Sequence, residues 1–287
     1  MSKTMYRCYA NMFSTSQFQK LVEGDDLSYL LSKYLKYREY LNEPILTIGD
    51  FYKYIYKSLL SNYRNEYVYK NTIINKILLG KHSLNTTTIL NEFKIGKSIA
   101  DLVLLNGTSK IFEIKTELDS LYRINSQISD YWKAFKNIYI VTHINLIEKF
   151  SKEIDERIGL IALTENNTLR TIRESTSNTD NLDSSVMIKC LRKKEYTNII
   201  EKYFGEIPQT TPVKYFSTCH ELFHQIPVDK LHDMMLVELK KRTIKEKEKF
   251  KSDSIAPIEF KYLLWNLDYD ASYYSKIEHL MKIKLPI

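Results

Sequence analysis

Three short segments rich in β-branched residues follow one another in the middle of the chain. They read TTTILNEFKI at 86–95, SIADLVLL at 98–105 and KIFEIK at 110–115. Gly96 separates the first segment from the second, and Asn106-Gly107 separates the second from the third. Short segments of this kind between turn residues predict three strands of a β-meander.

Helical patterns lie on both sides of this meander. Thr47 and Asp50 fit a capping box that opens a helix before it, and apolar residues recur at helical intervals over 119–135 after it. A strand-like NIYIVTH at 137–143, a helical segment over 144–157 and a hairpin over 158–174 complete the pattern. This order predicts an α/β core with helices on both faces of the sheet.

The chain is expected to have three parts. Residues 1–46 form a helical N-terminal arm with a helix over 17–42, residues 47–175 form the core, and residues 176–287 form a mostly helical C-terminal extension. The polar stretch STSNTDNLDSS at 174–184 is the best linker candidate, because polar clusters between periodic segments are typical of loops. Helices are predicted in the extension over 193–204, 216–224, 228–250 and 257–283.

The composition is that of a globular protein with an anionic partner. Of the 287 residues, 44% are hydrophobic and 27% are charged, which argues against disorder. The net charge of +7 favours nucleic acid first and an acidic membrane surface second. Three widely spaced cysteines indicate a reducing compartment. Since neither a signal-peptide core nor a membrane-spanning apolar stretch is found, we expect a soluble, cytoplasmic protein without a membrane partner.

Charged residues interrupt the second and third predicted strands. Glu113 and Lys115 share one face of the third strand because alternate side chains point the same way. Asp101 lies in the preceding strand. A two-residue loop at Asn106-Gly107 would leave Asp101 and Glu113 on opposite faces, a three-residue loop would place them opposite each other, and a five-residue loop would place Asp101 opposite Lys115. A shared site therefore requires an odd loop or a bulge, against the commonest use of Asn-Gly.

Two carboxylates held close together are costly unless a cation lies between them. Oxygen ligands with room for water are what Mg²⁺ or Mn²⁺ prefers. A lysine beside such a metal can orient an attacking water and stabilise the transition state. Asp101 followed by Glu113 and Lys115 is therefore a candidate phosphodiester-cleaving site.

The segments IAD at 99–101 and FEIKTE at 112–117 resemble the D…ExK signature of the PD-(D/E)xK nuclease superfamily. Downstream, Gln127 and Tyr131 in SQISDY have the Q-x3-Y spacing of its RecB-like branch. The stretch EIKTELDSLYRINSQISDY is similar to a small bacterial and phage group of this superfamily, and the similarity extends over about 64–175. Ala100 replaces the namesake proline, at a position that the superfamily varies freely.

This resemblance implies a metal-dependent nuclease with a restriction-endonuclease-like core of helix, three-strand meander, helix and strand. Asp101 and Glu113 would hold Mg²⁺ or Mn²⁺ with the backbone carbonyl of Ile114 and with Glu66, Lys115 would activate water, and Arg123, Gln127 and Tyr131 would contact substrate. The implied products carry a 5′-phosphate and a 3′-hydroxyl. DNA is preferred over RNA as the expected substrate, although the site chemistry does not distinguish them.

Other interpretations compete with this one. Either Asp101 or Glu113 could form an edge-strand salt bridge with Lys115 that is exposed to water and worth under about 1 kcal/mol. Glu66 could serve the helix dipole, Tyr131 could simply pack in the core, and Arg123 could pair with Asp119 or Glu117.

Two functional alternatives stay open at the level of the whole protein. One is a nuclease fold that binds nucleic acid without turnover. The other is a protein-docking module of a phage or mobile-element system, with the C-terminal extension as the docking part. A homodimer is compatible with either alternative and with the enzyme.

Overall fold

The computed structural model describes residues 2–116, 119 and 121–286. The α-helices are α1 Lys3–Met12, α2 Thr15–Val22, α3 Ser28–Tyr37, α4 Ile48–Asn62, α5 Glu66–Ile73, α6 Leu79–Lys81, α7 Ile124–Trp132, α8 Ile147–Glu153, α9 Ser184–Lys189, α10 Lys193–Phe204, α11 Tyr215–His224, α12 Val228–Lys240, α13 Lys247–Lys251, α14 Lys261–Leu267 and α15 Ala271–Lys282. Short 3-10 helices cover Arg38–Tyr40, Leu121–Arg123, Ile144–Leu146 and Ile258–Phe260, and a π-helical turn covers Ile74–Leu78.

The strands are β1 Thr88–Ile95, β2 Ser98–Asn106, β3 Thr108–Lys115, β4 Asn137–His143, β5 Gly159–Leu163 and β6 Leu169–Arg173. They form one six-stranded sheet in sequential order. The pairs β1–β2, β2–β3 and β5–β6 are antiparallel, whereas β3–β4 and β4–β5 are parallel. The meander, the following strand and the closing hairpin are therefore confirmed, and the protein is a mixed α/β protein.

The chain divides into two compact units, with bounds that differ from the three predicted segments. Unit 1 comprises 1–82, 165–168 and 244–287, and unit 2 comprises 83–164 and 169–243. Unit 1 is helical. Its core contains a cluster of stacked and edge-on aromatic rings from both ends of the chain, including Phe13, Phe18, Tyr52, Tyr67 and Phe260. The last part of the predicted extension thus packs with the predicted N-terminal arm.

Unit 2 contains the whole sheet and the helices α7 to α12. One continuous core joins Val103 of β2, Ile128 of α7, Ile188 of α9 and Leu231 of α12. Helix α7 packs against β2 and β4, and α12 also contacts β2. The C-terminal helices up to residue 243 therefore belong to the same core as the strands.

The polar stretch 174–184 does not connect two compact units, contrary to the linker prediction. It lies inside unit 2, where the backbone N–H of Asn178 donates to Lys136 O at 2.9 Å and that of Asp183 donates to Lys133 O at 2.9 Å. Asn178 is buried. This polar segment is therefore part of unit 2, and its backbone is hydrogen-bonded to residues that directly follow α7.

Three predicted helices are interrupted. The helix predicted over 17–42 is α2 and α3, the one over 228–250 is α12 and α13, and the one over 257–283 is α14 and α15. Asp25 and Asp268 adopt left-handed backbone conformations at two of the breaks, with φ of 52° and 47°. Aspartate tolerates this conformation better than most residues, and it ends a helix that apolar periodicity alone would continue.

The capping box before the core is confirmed. The backbone N–H of Asp50 donates to Thr47 Oγ1 at 3.1 Å, and the N–H of Thr47 donates to Asp50 Oδ2 at 3.0 Å. Helix α4 ends at Asn62, and α5 begins at Glu66.

Candidate functional site

Glu113 and Lys115 lie at the carboxyl end of β3, in the interior of the sheet between β2 and β4. Lys115 Nζ donates to Glu113 Oε1 at 2.7 Å, and their side chains are only 11% and 3% exposed. The alternative of a water-exposed ion pair on an edge strand is therefore wrong. A buried pair of this kind must satisfy its remaining hydrogen-bonding capacity within the protein.

The β2–β3 hairpin has the odd register that a shared site requires. Leu105 pairs with Ser109 and Leu102 with Phe112, and Gly107 at the turn has a φ of 68°. The same register places Asp101 opposite Glu113. The prediction of an odd loop is thus confirmed, because Asn106 and Thr108 pair with each other and leave Gly107 alone at the tip.

Asp101 replaces a main-chain acceptor where β2 and β3 separate. Their backbone pairing ends at Leu102 and Phe112, and Asp101 Oδ2 accepts the N–H of Ile114 at 2.7 Å. The N–H and C=O groups of a strand residue point to the same edge. The carbonyl of Ile114 therefore points to the side of the strand on which Asp101 lies.

Helix α7 supplies two further polar side chains to Glu113. Gln127 Nε2 donates to Glu113 Oε1 at 2.8 Å, and the Tyr131 hydroxyl lies 2.7 Å from Glu113 Oε2. Gln127 Oε1 in turn accepts from Lys115 Nζ at 3.0 Å. The spacing of four residues places Gln127 and Tyr131 on one face of the helix, and this face is directed at the two charged residues of β3.

The Tyr131 hydroxyl remains protonated in this environment. Burial raises its pKa, and the neighbouring Glu113 carboxylate raises it further. The hydroxyl also lies 2.8 Å from the carbonyl oxygen of Ile99 on β2. Tyr131 is therefore a neutral donor whose single hydroxyl proton lies between one acceptor on β3 and one on β2.

Replacing Tyr131 with phenylalanine is expected to lower the free energy of unfolding by about 1 to 3 kcal/mol, because the Glu113 carboxylate loses a buried donor. Urea denaturation followed by circular dichroism measures this change. Tyr122→Phe is the matched control, since the Tyr122 side chain is 93% exposed and the loss of its hydroxyl should have almost no effect. Equal stability of Tyr131→Phe and the wild type would contradict the proposed network.

Two of the predicted site residues lie outside this network. Arg123 is exposed at the start of α7 and forms no ion pair with a residue of the described ranges. Asp119 instead accepts the backbone N–H of Thr116 at 2.7 Å, and Glu117 lies outside the described residues.

Glu66 belongs to unit 1, where it forms an ion pair with Lys70 at 2.5 Å.

Glu92 is a feature of this region that the sequence did not predict. It lies opposite Asp101 in the β1–β2 register and has a φ of 46°. A left-handed conformation is unfavourable for a glutamate inside a strand. Leu90 and Phe93 are three residues apart yet share one core, so the strand changes its inward face here, and no local pattern would have shown it.

This region offers oxygen donors that could hold a divalent cation. Asp101 and Glu113 offer carboxylate oxygens, and the Ile114 carbonyl points to the same edge. Within 2–116, 119 and 121–286, no group of three or more His, Cys, Asp or Glu residues is placed to hold a metal. A Mg²⁺ ion held by two carboxylates and one carbonyl would have to take its other ligands from water.

The fold and the site define an α/β protein with a buried carboxylate and lysine centre in a six-stranded mixed sheet. The family model of bacteriophage P4 protein cII matches residues 60–263, more than half of the chain, and the chain belongs to this family.

Two individual proteins were also matched. Protein cII of Enterobacteria phage P4 is 25% identical over 171 residues, which cover 58% of this chain and 63% of that protein. The chain thus matches less than two thirds of the length of this relative. A solved protein of unknown function from Silicibacter pomeroyi is 11% identical, with a TM-score of 0.27 over 33% of this chain and 64% of that chain. No helix among the described residues has the length and apolar character needed to cross a membrane.

Proposed function

We propose that this protein is a metal-dependent nuclease with a core of the restriction-endonuclease-like type. The observation that carries the proposal is the convergence of Lys115, Gln127 and Tyr131 on the buried Glu113 carboxylate, beside Asp101. Two strands and one helix contribute these side chains. The resemblance of their sequence motif to PD-(D/E)xK nucleases supports the same assignment.

The roles follow from the contacts. Asp101, Glu113 and the Ile114 carbonyl would hold Mg²⁺ or Mn²⁺, which when bound supplies charge neutralisation at a phosphoryl oxygen and a more acidic water. Lys115 would orient the attacking water and stabilise the negative charge that develops on the phosphate. Gln127 would hold the Lys115 ammonium in place, and Tyr131 would fix the Glu113 carboxylate. Gln127 and Tyr131 would therefore be positioning residues, because neither side chain needs to touch the reacting atoms.

DNA is the proposed substrate, with RNA as the alternative. The net charge of +7 supports a polyanionic partner. Membership of a bacteriophage family supports a phage or mobile-element setting. A defence nuclease, a toxin and a DNA-processing enzyme are all compatible with the same site chemistry.

The test is a cleavage assay on linear duplex DNA, circular DNA, single-stranded DNA and RNA. We expect cleavage of at least one substrate with Mg²⁺ or Mn²⁺ and none in excess EDTA. End-labelling of the products should show 5′-phosphate and 3′-hydroxyl groups. Absence of cleavage with both metals, together with absence of metal binding by calorimetry, would overturn the proposal.

A nucleic-acid-binding module without turnover is the second candidate. It is favoured by the hydrogen bonding of Glu113, whose two carboxylate oxygens already accept from three side chains. In that case the network would only stabilise the sheet. Binding of DNA that is unchanged by Mg²⁺ and is not followed by cleavage would support this candidate over the enzyme.

A protein partner is a further candidate for the C-terminal helices. Apolar side chains near the α10–α11 connection are exposed to solvent, and Val213 is 93% exposed. Phe204, Ile207 and Phe216 are also partly exposed in this region. A homodimer through the same region would be detected by light scattering.

A further inference from the structure

An open groove of about 600 Å³ runs along unit 2 beside Gln127. Its lining includes Lys97, Ser98 and Ile99 from the β1–β2 hairpin, Arg123 from the 3-10 helix before α7, and Ser126 and Gln127 from α7. Gln127 belongs to both the groove and the site, because its amide contacts Lys115 and Glu113. Ile99 is also shared, since its carbonyl lies 2.8 Å from the Tyr131 hydroxyl. A ligand in the groove would therefore reach the edge of the proposed active site.

The groove has an excess of positive charge. Lys97 and Arg123 are exposed, and neither forms an ion pair with any residue that the structure describes. Asp130 also lines the groove, but Lys133 Nζ donates to it at 2.9 Å, and Ser98 Oγ donates to it at 2.9 Å. The acidic residue is thus neutralised locally. The two remaining cations can bind phosphate groups.

Exposed apolar side chains accompany these cations. Ile99 is 56% exposed in the groove, and Tyr122, next to Arg123, is 93% exposed. A solvent-exposed aromatic ring is suited to stacking on a base, and Tyr122 directly precedes the groove residue Arg123 in the chain. In a duplex the base faces are covered by their neighbours, whereas a single strand can offer them. The combination of phosphate-binding cations and an exposed ring therefore matches an unpaired strand.

We propose that this groove binds single-stranded nucleic acid, with phosphates at Lys97 and Arg123 and a base stacked on Tyr122. The strand would lead past Gln127 towards Lys115. Cleavage of the bound strand rests on the proposed nuclease function. Binding of the strand in the groove does not require cleavage. The predicted substrate is accordingly a single strand or an unpaired end.

The test measures binding of the full chain in EDTA, where cleavage cannot occur. Fluorescence anisotropy is recorded with a labelled DNA oligonucleotide, alone and annealed to its complement. We expect the single strand to bind at least about tenfold more tightly than the duplex. Tyr122→Ala should weaken single-strand binding by about tenfold, as expected for the loss of one stacked base, whereas Tyr122→Phe should retain it.

Two variants complete the experiment. Arg123→Ala should weaken binding and reduce its salt dependence, because one phosphate contact is lost. Tyr40→Ala removes a tyrosine that is 61% exposed in unit 1 and should bind as the wild type does. Equal affinity for single strand and duplex, or an unchanged affinity in Tyr122→Ala, would overturn the inference.

This result can be separated from the outcome of the cleavage assay. Tyr122-dependent single-strand binding without cleavage in Mg²⁺ or Mn²⁺ would support the groove and reject the nuclease. Metal-dependent cleavage together with unchanged binding by Tyr122→Ala would support the nuclease and reject the groove.

Discussion

Replacing Asp101 with asparagine should reduce metal-dependent cleavage by at least about 100-fold, the size of effect seen when one electrostatic group is removed from a transition state. The substitution removes a negative charge from the proposed cation site. It keeps an oxygen that can accept the Ile114 N–H, which Asp101 accepts at 2.7 Å in the structure. The strand separation should therefore persist, and the free energy of unfolding should change by less than about 1 kcal/mol.

The measurement is the initial rate of cleavage at saturating Mg²⁺, with Mg²⁺ affinity determined by calorimetry. Asp229→Asn is the control, because Asp229 lies on α12 with a side chain that is 65% exposed and forms an ion pair with Lys136. This control should cleave at the wild-type rate. Full activity in Asp101→Asn would exclude Asp101 from the site and would indicate a different metal centre or a contaminating nuclease.

Breaking the buried Glu113–Lys115 pair from one side should cost about 3 kcal/mol of unfolding free energy. Lys115→Met leaves the Glu113 carboxylate buried without a cation, and Glu113→Gln leaves the Lys115 ammonium buried without an anion. The double variant contains neither charge. We expect its destabilisation to be no larger than that of either single variant, because the cost arises from the unpaired charge.

A double-mutant cycle from urea denaturation measures this coupling. The matched control is the Glu148–Lys152 pair on α8, which has a similar distance of 2.6 Å but side chains that are 83% and 73% exposed. Its coupling energy should be below about 1 kcal/mol. Additive costs for Glu113→Gln and Lys115→Met would mean that the pair is effectively solvated and that the described burial is wrong.

These two experiments address different properties of the same residues. Asp101 is half-buried, and asparagine at this position keeps an acceptor for the Ile114 N–H, so a loss of activity in Asp101→Asn reports on chemistry. Glu113 and Lys115 are buried in the middle of the sheet, so their variants combine both effects. Cleavage rates of Lys115 variants should therefore be compared with the wild type only in denaturant-free buffer and only when the variant is shown to be folded.

The sequence alone determined the local features of the site. Alternation placed Glu113 and Lys115 on one face of β3, because side chains alternate strictly along a strand. Helical spacing placed Gln127 and Tyr131 on one face of α7. The strand bounds of β2 to β4 also followed from short-range composition, since β-branched segments between turn residues are distinctive.

Only the tertiary structure decided how these local features meet. The hairpin register, the burial of the Glu113–Lys115 pair between β2 and β4, and the orientation of α7 depend on contacts between distant segments. The same holds for the left-handed Glu92 and for the division into units, in which residues 244–287 pack with the first 82 residues. Periodicity specifies which face a side chain occupies, but burial, register and partner depend on which other segment covers that face.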